Sequence, residues 1–240
     1  MLDELMALKM PGMAAALRHQ WATPSTELWT FEDRLAALLN AERSRRATES
    51  ASRFVKQAGM PQPAHIADID HRVRRGLARP LVESLARCDW IRRQQNVLIT
   101  GPTGIGKTFL ACALGMEAAK AGLSVVYHKT PALIDALAVA KEDGRLASLR
   151  ARISRTQLLI LDDWAVDTMT AAQAHEVRRL VEAREGKTST LVASPLPVEA
   201  WHSRIEDASA ADALTDRLVR CSHHLVLDGP SMRTRKPSSV

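Results

Sequence analysis

Apolar residues recur along this chain at two different periods. Over residues 2–58 they fall at helical spacing, as at Leu2, Leu5 and Met6 and then Met13 and Leu17, with almost no alternating run. The pattern predicts a small all-helical region. Pro11-Gly12 interrupts its first stretch and predicts a break there. Ser25-Thr-Glu27 and Thr30-Phe-Glu-Asp33 read as helix caps with acid in the first turn, Thr30 to Asp33 at capping-box spacing, and a further pair of helices is expected after them. Gly59-Met-Pro61-Gln-Pro63 then breaks the pattern, and the stretch to Pro80, rich in arginine at 72, 74, 75 and 79, has no regular period. A domain boundary is expected here, with residues 1–75 as helical domain and linker and residues 76–240 as a second domain.

Beyond it the period changes. Residues 81–88 resume a helix, after which Asn96-Val-Leu-Ile-Thr, Ser124-Val-Val-Tyr-His128, Gln157-Leu-Leu-Ile-Leu161, Ser189-Thr-Leu-Val-Ala193 and His223-His-Leu-Val-Leu227 are short, nearly continuous apolar runs. Helical segments separate them, at 109–120, 131–140, a short arginine-rich helix before Gln157, 170–185 and 207–220. Continuous apolar strands alternating with helices predict an α/β fold, a five-stranded parallel sheet between helices. Asp228-Gly-Pro-Ser reads as a turn and residues 232–240 as a frayed basic end.

Composition narrows the class. At 240 residues and 46% apolar there is material for one α/β core and a smaller helical domain. The net charge of +6 favours an anionic partner, nucleic acid above all. No apolar run approaches the roughly 18 residues of a membrane span, and Met1-Leu-Asp-Glu carries acid where a signal peptide needs base, so a soluble cytoplasmic protein is expected. Cys88, Cys112 and Cys221 are scattered and form no C-x-x-C pair, which predicts packing residues rather than disulfides or zinc ligands. His223-His224 and His175-Glu176 lack the companions of a metal site.

The candidate chemistry follows the first strand. Gly101-Pro102-Thr103-Gly104-Ile105-Gly106-Lys107-Thr108 is a phosphate loop between a strand and a helix. Its glycines let successive N–H groups point inward on a phosphate. Lys107 would reach the β- and γ-phosphates of a nucleotide, and Thr108, opening a helix, can place its hydroxyl on Mg²⁺. About fifty residues on, the run ending at Leu161 leads into Asp162-Asp163. An acidic pair at that strand end completes an ATP site: Asp162 would hold Mg²⁺ through water, and Asp163 would orient and deprotonate the attacking water. Ser194, at the exit of the fourth strand, is a candidate to sense the γ-phosphate, or an ordinary turn residue before Pro195. Trp90 walls an adenine pocket or belongs to the core. Arg34, Arg43, Arg45, Arg46, Arg53 and Lys56 form a solvated helix face or one that tracks phosphates. The Asn-Lys-x-Asp motif of a GTPase occurs nowhere, and the arginines flank core helices rather than forming the lid of a small-molecule kinase.

Taken in order, the phosphate loop, Leu158-Leu-Ile-Leu-Asp-Asp-Trp164, Ser189-Thr-Leu-Val-Ala-Ser194-Pro-Leu-Pro-Val-Glu-Ala-Trp201-His202 and Ala211-Asp-Ala-Leu-Thr-Asp-Arg217-Leu resemble the IstB-like transposition helper ATPases. The start, Leu8-Lys-Met-Pro-Gly-Met13 with Ala14-Ala-Ala-Leu17, is similar to that family's helical N-terminal domain. These are AAA+ proteins of the same clade as the bacterial helicase loaders and initiators. The resemblance implies an ATP- and Mg²⁺-dependent homo-oligomer that wraps and bends duplex DNA and stimulates a partner transposase. It implies an arginine finger at Arg217, a weaker sensor candidate at Arg233, and an inserted helix pair lining the DNA channel, with Lys141, Arg145, Arg150 and Arg152 as contacts. Asp163 stands where most AAA+ proteins carry Glu. A helicase-loader adaptor of DNA replication is the alternative within the same clade.

Overall fold

A computed structural model describes residues 1–73 and 75–232, with Ser25 and Glu27 described by backbone alone. Arg233 and the rest of the expected basic end lie outside the described residues, as does Arg74.

Residues Met1–Arg53 form one compact unit. It contains α1 (Leu2–Ala7), α2 (Pro11–Ala22), a 3-10 turn at Pro24–Leu28 and most of α3 (Phe31–Gln57). Thr30 opens α3, its hydroxyl accepting from the Asp33 N–H at 3.1 Å and donating to the Asp33 carboxylate at 2.8 Å. The helix then runs for 27 residues. This replaces the expected pair, because residues 31–57 contain neither proline nor glycine to stop a helix.

Pro11-Gly12 also behaves differently from a plain breaker, since it begins α2. Proline at the first helical position gives up an N–H that has no intrahelical partner. The next free N–H groups, of Gly12 and Met13, donate to Glu42 Oε2 at 2.7 and 3.3 Å. A carboxylate from α3 thus caps α2, and a Cβ at Gly12 would come within 2.8 Å of both Glu42 Cα and Oε2. The Arg45 guanidinium, assisted by Arg46, holds the Glu42 carboxyl down at about 2. A carboxyl held below its unfolded value near 4.5 stabilises the fold fully above that value and progressively less as pH falls toward 2. The helical unit should therefore lose helicity by circular dichroism between about pH 4.5 and 2, and Glu42→Gln should make that loss shallower while lowering stability at neutral pH.

Residues Phe54–Val240 form the second unit. After α3 come α4 (Arg79–Ala86) and α5 (Asp89–Arg92), then β1 (Asn96–Thr100), α6 (Lys107–Lys120), β2 (Val125–Lys129), α7 (Thr130–Glu142), α8 (Leu146–Arg155), β3 (Leu158–Asp162), α9 (Ala171–Arg184), β4 (Ser189–Ser194), α10 (Ala208–Val219) and β5 (Ser222–Val226). The strands form one five-stranded sheet in the order β2-β3-β4-β1-β5, every pair parallel. Alternate side chains feed two cores. Val97, Ile99, Leu158 and Ile160 pack with α4, α5 and α6 on one face; Leu98, Leu159, Leu161 and Val192 pack with α7 to α10 on the other. A strand buried on both faces needs no polar alternation, hence the continuous apolar runs.

The two units divide between Arg53 and Phe54, earlier than the expected boundary near residue 75. The stretch after Arg53 belongs to the sheet domain because Ala58, Ala64 and Ile69 are buried in the α6-side core, and Tyr127 of β2 donates its N–H to the Ala58 carbonyl at 2.7 Å. The Gly-Pro cluster shapes a covering layer. Trp90 lies in the same core with its indole N–H on the Leu85 carbonyl at 2.9 Å. Cys88 and Cys112 are buried as expected, their thiols pushed up by burial to about 11 and about 12, whereas Cys221 is exposed and corrects the expectation of three packing cysteines. Among the described residues no helix is long and apolar enough to cross a membrane.

Candidate nucleotide site

The phosphate loop leaves the carboxyl end of β1 and returns as α6, whose first residues are Lys107 and Thr108. Gly101 has φ +142°, and a Cβ there would run into the Leu227 carbonyl. That close approach comes from the segment after β5, which crosses the loop: Leu227 N–H donates to Thr100 O at 2.8 Å and Met232 N–H to Gly104 O at 2.8 Å. Lys107, only 9% exposed, curls over the loop with Nζ donating to the carbonyls of Gly101 at 2.7 Å and Pro102 at 3.0 Å. An ammonium held by loop carbonyls sits where an incoming phosphate would meet it.

β3 runs two strands from β1 and brings Asp162 to the same end of the sheet. Thr108 Oγ1 donates to Asp162 Oδ2 at 2.7 Å, so the two residues predicted to hold Mg²⁺ are joined directly. Asp162 is 2% exposed, and its Oδ1 accepts the Asp163 N–H at 2.9 Å. The donor set is a hydroxyl and a carboxylate, hard oxygen ligands too few to form a closed cage, which suits a Mg²⁺ that keeps several waters and shares phosphate oxygens. Asp163 takes φ +55° and stands half exposed, 3.0 Å from Lys129 Nζ at the end of β2. Lys107, Thr108, Asp162, Asp163 and Tyr127 line one open groove of about 1090 Å³. Polar groups gathered at the carboxyl ends of parallel strands are the usual ligand position in such sheets.

The remaining predicted residues divide. Ser194 ends β4 fully buried, and its hydroxyl donates to Trp164 O at 2.8 Å while accepting from Leu196 N at 3.1 Å and Trp201 Nε1 at 3.2 Å. Donor and both lone pairs are engaged, so a γ-phosphate or water would have to displace one of these bonds. Arg217 lies at the other end of the sheet. It pairs with Glu182 at 3.2 Å and Glu185 at 3.1 Å, and lines a separate hollow of about 340 Å³ with Gln95, Asn96 and Arg184. Lys141, Arg145 and Arg152 are exposed on α7, the following turn and α8, with Arg145 paired to Asp143. Arg150 instead turns toward α9, where Glu176 lies at 3.5 Å.

Three groups at the site carried no motif signal. Arg75, 6% exposed, donates to the Ile105 carbonyl of the loop at 2.9 Å. Lys129 pairs with Asp163, and Tyr127 donates to Asp162 Oδ2 at 2.8 Å. Burial first, then the hydrogen bond to Asp162 and that residue's charge, pushes the Tyr127 phenol up, so it remains a donor at neutral pH.

Comparison with known proteins agrees with this geometry. A protein of Sinorhizobium fredii described as an insertion sequence ATP-binding protein is 38% identical over 232 residues, covering 97% of this chain and 95% of that one. Among solved structures, DnaI superposes with a TM-score of 0.61 at 18% identity, over 70% of this chain and 96% of that one. The DnaC helicase loader gives 0.53 at 16% identity, over 73% and 99%. At such identities these structures share the fold, that of the AAA+ phosphate-loop proteins. The family model of the IstB-like ATP binding proteins matches residues 3–240. Phosphate loop, acidic strand end, sheet order and sequence relatives agree, and the chain belongs to the IstB-like ATP-binding family.

Proposed function

We propose that the protein is a Mg²⁺-dependent ATPase that oligomerises on duplex target DNA, deforms it and stimulates a partner transposase. The observation that carries the ATPase part is the 2.7 Å bond between Thr108 and Asp162 at the mouth of the groove, next to Lys107. In this reading the loop N–H groups and Lys107 bind the β- and γ-phosphates. Thr108 and Asp162 hold Mg²⁺, which when bound neutralises charge building on those phosphates. Asp163 orients and deprotonates the attacking water, with Lys129 its neighbour at 3.0 Å. Arg217 serves the γ-phosphate of an adjacent subunit.

Support for the transposition role is the membership in a family whose relatives are described as insertion sequence proteins. Support for DNA contact is the net charge of +6 and the exposed cations of the α7–α8 region. Duplex binding should require ATP, be largely indifferent to sequence, and weaken steeply with salt because cations displace condensed counterions. Replacing Lys141, Arg145, Arg150 and Arg152 together with alanine should lower the slope of log K against log salt by about 3, each direct phosphate contact being worth about 0.9. Arg150 should contribute least of the four, since it must first leave Glu176. Fluorescence anisotropy on a short duplex at several salt concentrations measures this. An unchanged slope would remove α7 and α8 from the DNA surface. Retention on a helicase ring in place of DNA and transposase would favour the loader function.

A further inference from the structure

We infer that Tyr127 positions Asp162 for the metal, and that its hydroxyl sets how strongly Mg²⁺ and nucleotide binding are coupled. The inference rests on the assignment of Asp162 to the metal side of the site.

The geometry is specific. Tyr127 stands in the middle of β2, in register with Ile160 of β3. Its ring is 8% exposed on the α6 side of the sheet, within the core that also holds Cys112 and Ile160. From there the hydroxyl reaches Asp162 Oδ2 at 2.8 Å, the oxygen that also accepts from Thr108 at 2.7 Å. The other oxygen takes the Asp163 N–H, and the Asp162 main-chain carbonyl takes the Thr130 hydroxyl at 2.9 Å. Asp162 is therefore held by donors from β2, α6, α7 and its own chain neighbour.

Of these donors Tyr127 is the one whose hydroxyl, among the described residues, has the carboxylate as its single polar partner. Thr108 is itself a ligand candidate, and the Asp163 N–H follows from the backbone. A donor on the oxygen nearest the ligand hydroxyl fixes the carboxylate rotamer and tempers its basicity. Groups in that relation to a metal ligand are typically worth a tenfold to hundredfold change in metal affinity. Removing the hydroxyl leaves a buried anion with one fixed donor fewer and room to rotate. The loop N–H groups and Lys107, which meet the phosphates, are untouched.

A tyrosine that merely fills the core would affect stability or all ligands alike. The test is Tyr127→Phe, which keeps the ring, with circular dichroism to confirm the fold. The dissociation constant of a fluorescent ADP analogue is measured with saturating Mg²⁺ and with chelator, and their ratio is the metal–nucleotide coupling. Tyr127→Phe should keep the metal-free constant within about twofold and reduce the ratio by about tenfold. A ratio equal to that of the unmodified protein, whether both constants are unchanged or both worsen together, overturns the assignment of Tyr127. An unmodified protein whose affinity gains nothing from Mg²⁺ would overturn the metal role of Asp162 and Tyr127's role with it.

Discussion

Lys107→Ala is expected to abolish nucleotide binding at working concentrations. The ammonium is nearly buried and already held over the loop by the carbonyls of Gly101 and Pro102, so little reorganisation is needed when a phosphate arrives. Truncating one partner of a buried, hydrogen-bonded charge pair costs about 2–5 kcal/mol. That corresponds to a loss of affinity from tens-fold to thousands-fold. Among the described residues the apo protein gives up two hydrogen bonds to carbonyls that remain near water, so the effect on folding is a quantity separate from the loss of phosphate binding. Titration calorimetry with ATP separates the two effects, and binding within threefold of the unmodified protein would contradict the site. Asp163→Asn makes the contrast: the phosphates keep their partners, so binding should persist while steady-state phosphate release falls to background.

The second large effect concerns Arg217. In a single chain it lies at the opposite end of the sheet from the phosphate loop, clamped by Glu182 and Glu185 of α9. No rotamer could bring it to the chain's own groove, yet a head-to-tail neighbour could present its own groove to it. A guanidinium supplied in trans stabilises transition-state charge by about 10³ or more in rate. Arg217→Ala should therefore keep nucleotide affinity and lose about that factor in turnover. Mixing is decisive. Lys107→Ala subunits, with a defective loop and an intact arginine, should restore part of the activity of Arg217→Ala subunits once cross-linking shows that the two co-assemble. Activity no greater than that of the separate variants, or a fully active Arg217→Ala protein, would move the role elsewhere, first to Arg220, which pairs with Asp216 on the same helix.

The parts legible in the sequence share one property: the chemistry is local. A phosphate loop needs strand, glycines, lysine and helix within a dozen residues, and an acidic pair needs only a strand end, so both can be read from spacing. The five strands and their parallel arrangement follow in the same way from continuous apolar runs separated by helices. Partners supplied by tertiary structure leave no such trace. Tyr127 inside Ser124-Val-Val-Tyr-His128 looks like any aromatic in a buried strand, and only the pairing of β2 with β3 brings it to Asp162. Glu42 reads as one more acid in a charged helix until α2 is laid against it. Arg184 is almost fully buried, its guanidinium donating to the carbonyls of Ile153 at 2.6 Å and Thr156 at 2.9 Å. Nothing in its position at the end of a helix marks it for burial. Ser194 is visible in the sequence as a polar residue at a strand exit, and its bond with the Leu196 N–H is the local turn contact that such a serine makes, but the fold is what brings its other two partners, Trp164 and Trp201, to the hydroxyl.

The position of β1 between β4 and β5 bears on how the protein is made. The strand that carries the phosphate loop emerges from the ribosome with neither neighbour available; β4 follows about 90 residues later and β5 about 125. At roughly 5–20 residues per second, an apolar segment with two unpaired edges waits on the order of ten seconds for its first sheet partner. During that interval it is an exposed template for aggregation and for chaperone capture. Because the segment after β5 closes over Gly101 and Gly104, the loop takes its final form only after the whole sheet has assembled. A message interrupted before β5 would yield a chain in which β1 keeps a bare edge and the phosphate loop lacks the segment that closes over Gly101 and Gly104.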